Sequence, residues 1–414
     1  MTLPPAASVH QSPVTFYNRW QAVNDWLARH QPLWRPIPFM EPAPAWIRDY
    51  PELAGWLEAL DDHACEYLEE NLAELSQNVA RFVPDLAGYP DLIAVPALAT
   101  TEESRAAALA EVAAVDMPGR KREQAGAFSA SVRPLTGPVL DWCCGKGHLA
   151  RTLVGQGAPS VLGFEWNPEL VADGNRLAQH YQDPVTLRHQ DVMAETLTWP
   201  GKVHGVALHA CGDLHRQLIR RGSAEQTSRL SFSPCCYHLT DHENYRLMSD
   251  QASQYTGAVT IDRNGLRLAV QETVTAPARV REQTWQISIW RLGFDALQRH
   301  LRSVDSYLPV PSHPGRLNAG DFRTFCAWAA DKKRLELPEN LDWQHWLAEG
   351  GRRFQKVRRH ELLRHLFRRP LELWLVFDYA VFLEEQGYRV RLGAFCERSL
   401  TPRNLLLDAV RVSD

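Results

Sequence analysis

Apolar residues in the first part of the chain recur at three- and four-residue steps. Leu53, Trp56, Leu57 and Leu60 form one such row, and Leu68, Leu72 and Leu75 another, which predicts helices that each bury one face. Trp20, Trp26, Trp34, Trp46 and Trp56 of this region read as packing residues of a helical N-terminal domain over residues 1–126, rather than as a platform for stacked bases. From residue 138 to residue 238 the pattern changes to short apolar runs separated by amphipathic stretches. Runs at 139–140, 160–165, 185–190, 203–208 and 229–233 predict strands, and their alternation with helices predicts a parallel sheet covered on both faces. Residues 241–387 read as mostly helical again, most clearly over 371–386 with Gly387 as the stop. Within that stretch Trp285, Ile287 and Ile289 alternate with polar residues and predict a strand.

The first strand of the sheet runs into Asp141-Trp142-Cys143-Cys144-Gly145-Lys146-Gly147-His148, a glycine turn ahead of a helix. Glycine lets the backbone bend tightly and approach a ligand that a Cβ would hold away. The helix from His148 turns its free N–H groups toward whatever lies in the turn. Two nucleotide cofactors compete for it. As Gly-x-Gly-x-x-Ala followed by an acidic strand end at Glu165, the turn passes for a dinucleotide fingerprint. Asp141 argues against that, because a carboxylate at the strand tip repels a pyrophosphate and attracts the ammonium and sulfonium of S-adenosylmethionine. A phosphate-binding P-loop fails, since Gly147 follows Lys146 where Ser or Thr is required. The remaining reading is a turn without a ligand.

Ligands of open α/β sheets lie beyond the carboxyl ends of the strands, where the strand order reverses. That rule gathers Asp141, Glu165, Asp191, His209 and Cys235-Cys236-Tyr237-His238 on one rim. Glu165 offers two acceptor oxygens for a pair of ribose hydroxyls, and Asp191 an acceptor for an adenine amino group. With Cys143, Gly145, Gly147, Trp166 and His209 they complete the expected donor-binding set. The expected catalytic set is His209, Cys235, Cys236, Tyr237 and His238. Either histidine is placed to take a proton from a hydroxyl acceptor, and either cysteine to attack a pyrimidine ring. If the cysteine pair continues the strand's alternation, only one of the two faces the pocket. The histidines read equally well as hydrogen-bonded strand-end residues. Packing or pocket lining is the expected role of the cysteines. A metal site drawn from Cys143, Cys144, Cys211, Cys235, Cys236, His209 and His238 is the less expected alternative, and no metal is assigned.

With 414 residues, 45% of them hydrophobic, the chain is long enough for two or three domains and a sizeable core. Its net charge of −4 excludes a global basic field, so any nucleic acid must be met locally. Two places qualify. One is the basic turn at 117–124, which holds Arg120 and Lys121; its other reading is a solvated linker. The second is Arg352, Arg353, Lys356, Arg358, Arg359, Arg364, Arg368 and Arg369, interleaved with Phe354, His360, His365 and Phe367. That cluster suits a phosphate backbone, or else a solvated helix face paired with acidic neighbours. No run approaches membrane-spanning length, and the N-terminus, with Pro4 and Pro5, lacks the form of a secretion signal. The expectation is a cytoplasmic protein with no membrane partner and no obligate protein partner. Eight cysteines without zinc-finger spacing fit reduced thiols.

Taken together, Cys143-Cys144-Gly145-Lys146-Gly147-His148, His209-Ala210-Cys211-Gly212 and Cys235-Cys236-Tyr237-His238 resemble the class I S-adenosylmethionine-dependent methyltransferases. More narrowly, they look like a branch that includes eukaryotic methyltransferase-like proteins, and a similar arrangement occurs in the eukaryotic family that 2′-O-methylates the tRNA acceptor stem. The basic turn at 117–124 and Ser399-Leu400-Thr401-Pro402-Arg403-Asn404 add to the likeness. It covers residues 117–240 and 388–414. The resemblance implies an α/β, Rossmann-like seven-stranded sheet whose last two strands, at 388–395 and 404–410, form an antiparallel pair. The domains are then 1–126, helical; 127–240, the methyltransferase core; 241–387, a mostly helical insertion with the basic cluster; and 388–414, the final strand pair. The expected function is methylation of RNA, tRNA or rRNA, with S-adenosylmethionine as cofactor and Arg120, Lys121, Arg352, Arg353, Lys356, Arg358 and Arg359 on the substrate. The alternatives are a protein or small-molecule acceptor, or a binding protein that keeps the fold without catalysis.

Overall fold

The computed structural model describes residues 15–271, 278–315, 317 and 320–412; the start of the chain, read above for a secretion signal, lies outside them. The sheet consists of β1 (Val139–Trp142), β2 (Val161–Glu165), β3 (Val185–His189), β4 (His204–Cys211), β5 (Arg229–Cys235), β6 (Tyr388–Ala394) and β7 (Leu405–Arg411), in the order β3-β2-β1-β4-β5-β7-β6. Strands β1 to β5 are parallel, while β7 runs antiparallel between β5 and β6. This is the seven-stranded arrangement the resemblance implies, and order reverses between β1 and β4. All four residues of β1 are buried, as a central parallel strand covered on both faces requires.

The chain divides into two compact units, each made of separate segments. The first holds residues 1–28, 95–270 and 371–414, and the second residues 29–94 and 271–370. This differs from an N-terminal domain ending at 126 and an insertion ending at 387. Helix Phe16–Arg29 belongs mainly to the sheet unit, where Trp20 packs on Trp374 at 5.9 Å. Helix Gly119–Ser131 does too, its Phe128 sharing a core with Val139, Leu149 and Leu187. The basic turn expected at 117–124 is therefore largely the first turns of a packed helix, not a linker.

The second unit is helical. The row at Leu68, Leu72 and Leu75 is buried as expected, but it spans two helices, Asp62–Glu70 and Leu72–Val79, broken at Asn71. The strand expected at 285–289 is instead part of helix Ala278–Arg302. Ile287, Trp290, Phe294 and Leu297 are buried at three- and four-residue steps, and that longer row outweighs a five-residue alternation. This helix passes close to helix Trp343–His365, where a Cβ on Gly350 would lie 2.4 Å from the Ile289 carbonyl oxygen.

The basic cluster lies on helix Trp343–His365 and at its end, and six of its cations pair within this unit. Arg353 meets buried Asp295 at 2.8 Å, Lys356 meets Glu58 at 2.9 Å, and Arg358 and Arg359 both reach Asp62. Arg352 meets Glu349, and Arg364 bonds Glu361 and the Trp34 carbonyl. The pairing with acidic neighbours corresponds to the second of the two readings above. Replacing Arg353 by alanine should strand the Asp295 carboxylate with Arg299 as its remaining cationic partner, at a cost of about 2–3 kcal/mol. Urea unfolding of the full chain is the check, and an unchanged midpoint would contradict the ion pair's buried character.

Candidate active site

The rim above the carboxyl ends of β1, β2, β4 and β5 is built from the turn outward. Asp141 lies near the end of β1 and is 2% exposed. Its Oδ2 is buried without a hydrogen-bond partner, an expensive arrangement for a carboxylate. Burial drives its pKa up to about 7, opposed by the Ala150 backbone N–H and reinforced by the neighbouring Glu165 carboxylate. Cys143, at φ 59°, begins the bend, and Gly145 and Gly147 continue it at φ 58° and 69°. Such angles are routine for glycine and uncommon for a residue with a Cβ.

Glu165 ends β2 and fixes the turn. Its Oε2 accepts the Gly145 N–H and its Oε1 the Asn167 N–H, both at 3.0 Å. Each oxygen keeps a further lone pair for a ligand. Trp166 follows with 73% of its surface exposed, an apolar plate with no local reason to face water. Asn167 caps helix Pro168–Tyr181, as its sequence announces. Asp191 stands just past β3, exposed, with Oδ1 accepting the Met193 N–H at 2.9 Å. Lys146 points elsewhere, to Asp173 at 3.1 Å and Asp116 at 3.5 Å. Burial pushes the Cys143 and Cys144 thiols up, so neither is primed as a thiolate.

The facing side comes from β4, β5 and helix Gly119–Ser131. A register shift between Leu208 and Cys211 lets His209 adopt φ 62°, and its Nε2 lies 3.3 Å from Gln124 Oε1. With that nitrogen donating, Nδ1 carries the lone pair. Burial, with the positive charges of Arg403 and Lys121, holds His209 down at about 4. It is thus neutral at physiological pH, a fitting hydrogen-bond acceptor but a poor proton sink. His238 is also shifted down, chiefly by burial. Tyr237 departs from its expected place in the catalytic set. It is buried, and its hydroxyl donates to Glu372 Oε1 at 3.3 Å, so it anchors the segment from inside.

The two cysteines after β5 do not alternate as a regular strand would. Cys236 has φ 49°, and both sulfurs approach Cys211, whose Sγ is 3.6 Å from that of Cys235. Hydrogen bonds within the trio hold the Cys236 thiol below its ordinary range and push that of Cys235 above it. Gln124 and Arg403 have no role in the sequence reading, although both lie in segments quoted there. Gln124 links the basic helix to His209 and donates to the Leu400 carbonyl at 3.2 Å. Arg120 reaches the Ser399 carbonyl, so the two outer segments of the resemblance do meet. Arg403 lends positive charge to His209, Cys236 and His238. The pairing of an isolated basic turn with the arginine of a distant Pro-Arg-Asn run is the only signal that pointed here.

Residues 126–243 match the family model described as a methyltransferase domain. Over that stretch the chain is similar to methyltransferase domains, and its seven-stranded sheet has the class I, Rossmann-like order. No curated protein matches the chain in sequence. Among solved structures it is similar to the 23S rRNA methyltransferase ErmE, at 18% identity over 27% of this chain and 46% of that one, with a TM-score of 0.24. It is similar to a tRNA (uracil-54, C5)-methyltransferase of Pyrococcus abyssi, at 18% over 28% and 29% with a TM-score of 0.23. Magnesium protoporphyrin IX methyltransferase of Synechocystis matches at 14% over 66% and 73%, with a TM-score of 0.26. The match thus spans less than half of the first two proteins' own length, and likenesses this distant carry nothing about substrate. Among the described residues no helix is long and apolar enough to cross a membrane.

Proposed function

We propose that this protein is an S-adenosylmethionine-dependent methyltransferase acting on RNA. The observation that supports the donor half is the buried, unpartnered Asp141 Oδ2 beside the Gly145–Gly147 bend. A cationic ligand supplies the partner that this oxygen lacks, whereas a pyrophosphate would meet two carboxylates, Asp141 and Glu165. Glu165 is then the acceptor for the ribose hydroxyls, Trp166 the surface for the base and Asp191 the acceptor for its amino group, with Cys143, Gly145, Gly147 and His209 lining the rest. The bound cofactor supplies an electrophilic methyl group. The protein's part is to hold the acceptor in line with it and keep water away. Because His209 is held neutral with a low proton affinity, its contribution is to orient the acceptor.

The acceptor half rests on Lys121 and Arg403, whose positive charge acts on His209, with Arg120 on the same helix as Lys121 reaching the Ser399 carbonyl. That is a local basic surface on an otherwise acidic chain, as a phosphate backbone requires. The cations of helix Trp343–His365 are already paired with carboxylates, which favours a protein or small-molecule acceptor as the second reading. A cytoplasmic setting agrees with eight free cysteines. Incubation with labelled S-adenosylmethionine and total RNA should label RNA; label confined to protein or small molecules would sink the RNA half. Replacing Arg120 and Lys121 together by alanine should weaken RNA binding roughly ten-fold. The salt dependence should become shallower by about one to two in log–log slope, since each lost phosphate contact removes close to one unit. A slope that does not change would place the RNA elsewhere.

A further inference from the structure

The three-cysteine cluster at the ends of β4 and β5 lies outside the donor-binding set named above. Past the bulge in β4, Cys211 pairs in register with Cys235 of the parallel neighbour, so the two side chains leave the sheet on the same face. Their sulfurs stand 3.6 Å apart. In a regular strand Cys236 would point the other way. Its left-handed φ of 49° turns it back, and the three sulfurs lie within 4.8 Å of one another.

A left-handed conformation at a residue with a Cβ is unfavourable by about 1 kcal/mol. Here it is held by the Gly212 N–H on the Cys235 carbonyl at 3.0 Å and the Leu239 N–H on the Cys236 carbonyl at 2.8 Å. The backbone is thus arranged so that adjacent cysteines present both sulfurs to one point, which packing alone does not require.

Sulfurs that share one zinc-like ion at about 2.3 Å stand roughly 3.8–4.0 Å from each other. The Cys211–Cys235 pair is already near that spacing, and all three sulfurs lie within 4.8 Å of one another. A fourth donor is close in sequence. His238 follows Cys236 by two residues, and its Nδ1 is buried without a hydrogen-bond partner; a turn of this side chain toward the three sulfurs supplies the last ligand. We propose that Cys211, Cys235 and Cys236, with His238 as fourth ligand, bind one thiophilic divalent cation of the zinc class. Each thiol releases its proton to solvent as its sulfur binds the ion. Three thiolates and a neutral imidazole then surround the cation in the tetrahedral set that soft ligands favour. Bound there, the ion ties the end of β4 to the end of β5 and fixes the segment that carries His238.

The test is titration of the reduced, metal-free full chain with Co²⁺. One equivalent should produce an intense sulfur-to-cobalt charge-transfer band in the near ultraviolet and visible bands of tetrahedral Co²⁺, and one equivalent of Zn²⁺ should abolish both. Cys211→Ser, Cys235→Ser and Cys236→Ser should each reduce the charge-transfer band by about a third or eliminate it. Cys65→Ser and Cys326→Ser, at cysteines outside the cluster, should leave it intact. His238→Gln should keep the sulfur band but shift the visible bands and weaken affinity at least ten-fold; unchanged visible bands would remove His238 from the site. Because a serine variant can also misfold, Zn²⁺ protection is measured in the unaltered chain: it should shield these three thiols from alkylation, read peptide by peptide. No charge-transfer band in the unaltered chain, or alkylation of the three cysteines at the same rate with and without Zn²⁺, would overturn the proposal. None of these readouts involves the methyl donor, so a negative result leaves the methyltransferase reading standing.

Discussion

Asp141→Asn should weaken S-adenosylmethionine binding by about 30- to 1000-fold, the range expected when one partner of a buried charge pair loses its charge. Methyl transfer should fall with it. Isothermal calorimetry at pH 8 is the direct measurement, and an asparagine variant that binds the donor as tightly as the unaltered chain would remove the basis of the cofactor assignment. The pH dependence gives a second signature. Burial and the Glu165 charge raise the Asp141 carboxyl to about 7, and only its ionised form pairs with a cation. Affinity should therefore be level above pH 7 and fall by up to ten-fold per unit as pH drops below it, a slope that asparagine abolishes. Stability of the empty protein runs the opposite way. A carboxyl whose folded pKa exceeds its unfolded one keeps a proton that the unfolded chain releases, so stability declines as pH rises from about 4 to about 7. Asparagine removes that penalty, and the variant should melt a few degrees higher than the unaltered empty chain at pH 8. A substitution that damages function while raising melting temperature separates a ligand-binding carboxylate from a structural one.

Much of this site could be read from local pattern. The strands β1 to β5 are short apolar runs, and the residues at their ends fall on one rim because a parallel sheet aligns all its carboxyl termini. Asn167 and Pro168 declare a helix start through chemistry that involves only their immediate neighbours. What stayed hidden depends on partners far along the chain. Arg358 resembles a free cation until Asp62, nearly three hundred positions earlier, is brought against it. The strand expected at 285–289 has the right alternation for five residues, but the burial of Trp290, Phe294 and Leu297 sets the period of the whole segment. The Cys235-Cys236 pair misleads for another reason: alternation holds only while φ stays extended, and no sequence rule announces that a cysteine adopts φ 49°. Gly163 and Gly174 went unremarked, yet an added Cβ would lie 2.4 Å and 2.1 Å from the Leu187 side chain, which occupies the space they leave between β2, β3 and helix Pro168–Tyr181.

Gly212→Ala should be the most damaging single substitution on the rim. Gly212 has φ 56° and ψ −126°, a region all but closed to other residues, and an added Cβ would fall 1.9 Å from the Leu239 carbonyl oxygen. That oxygen accepts the Asp213 N–H at 2.9 Å, so relief of the clash breaks the bond that joins the end of β4 to the segment after β5. The combined strain and lost pairing should exceed about 4 kcal/mol, enough to leave little soluble protein at 37 °C. Soluble yield and melting temperature against the unaltered chain decide it; a variant within 1 kcal/mol would mean that the turn yields more readily than its geometry implies. Gly145→Ala is the informative contrast, because no heavy atom lies within 4 Å of its added Cβ. It bears only the cost of φ 58° and should be milder in stability by several-fold.

The second unit draws on residues 29–94 and 271–370, with 176 positions of the first unit between those stretches. On the ribosome the earlier stretch emerges long before its partner exists, and at about 5–20 residues per second the wait lasts from roughly ten to thirty-five seconds. During that interval Leu53, Leu57, Leu68 and Leu72, all buried in the finished molecule, have no core to enter. Nascent chains stalled near residue 270 should therefore recruit chaperones that hold apolar segments, and release them once the later helices have been made.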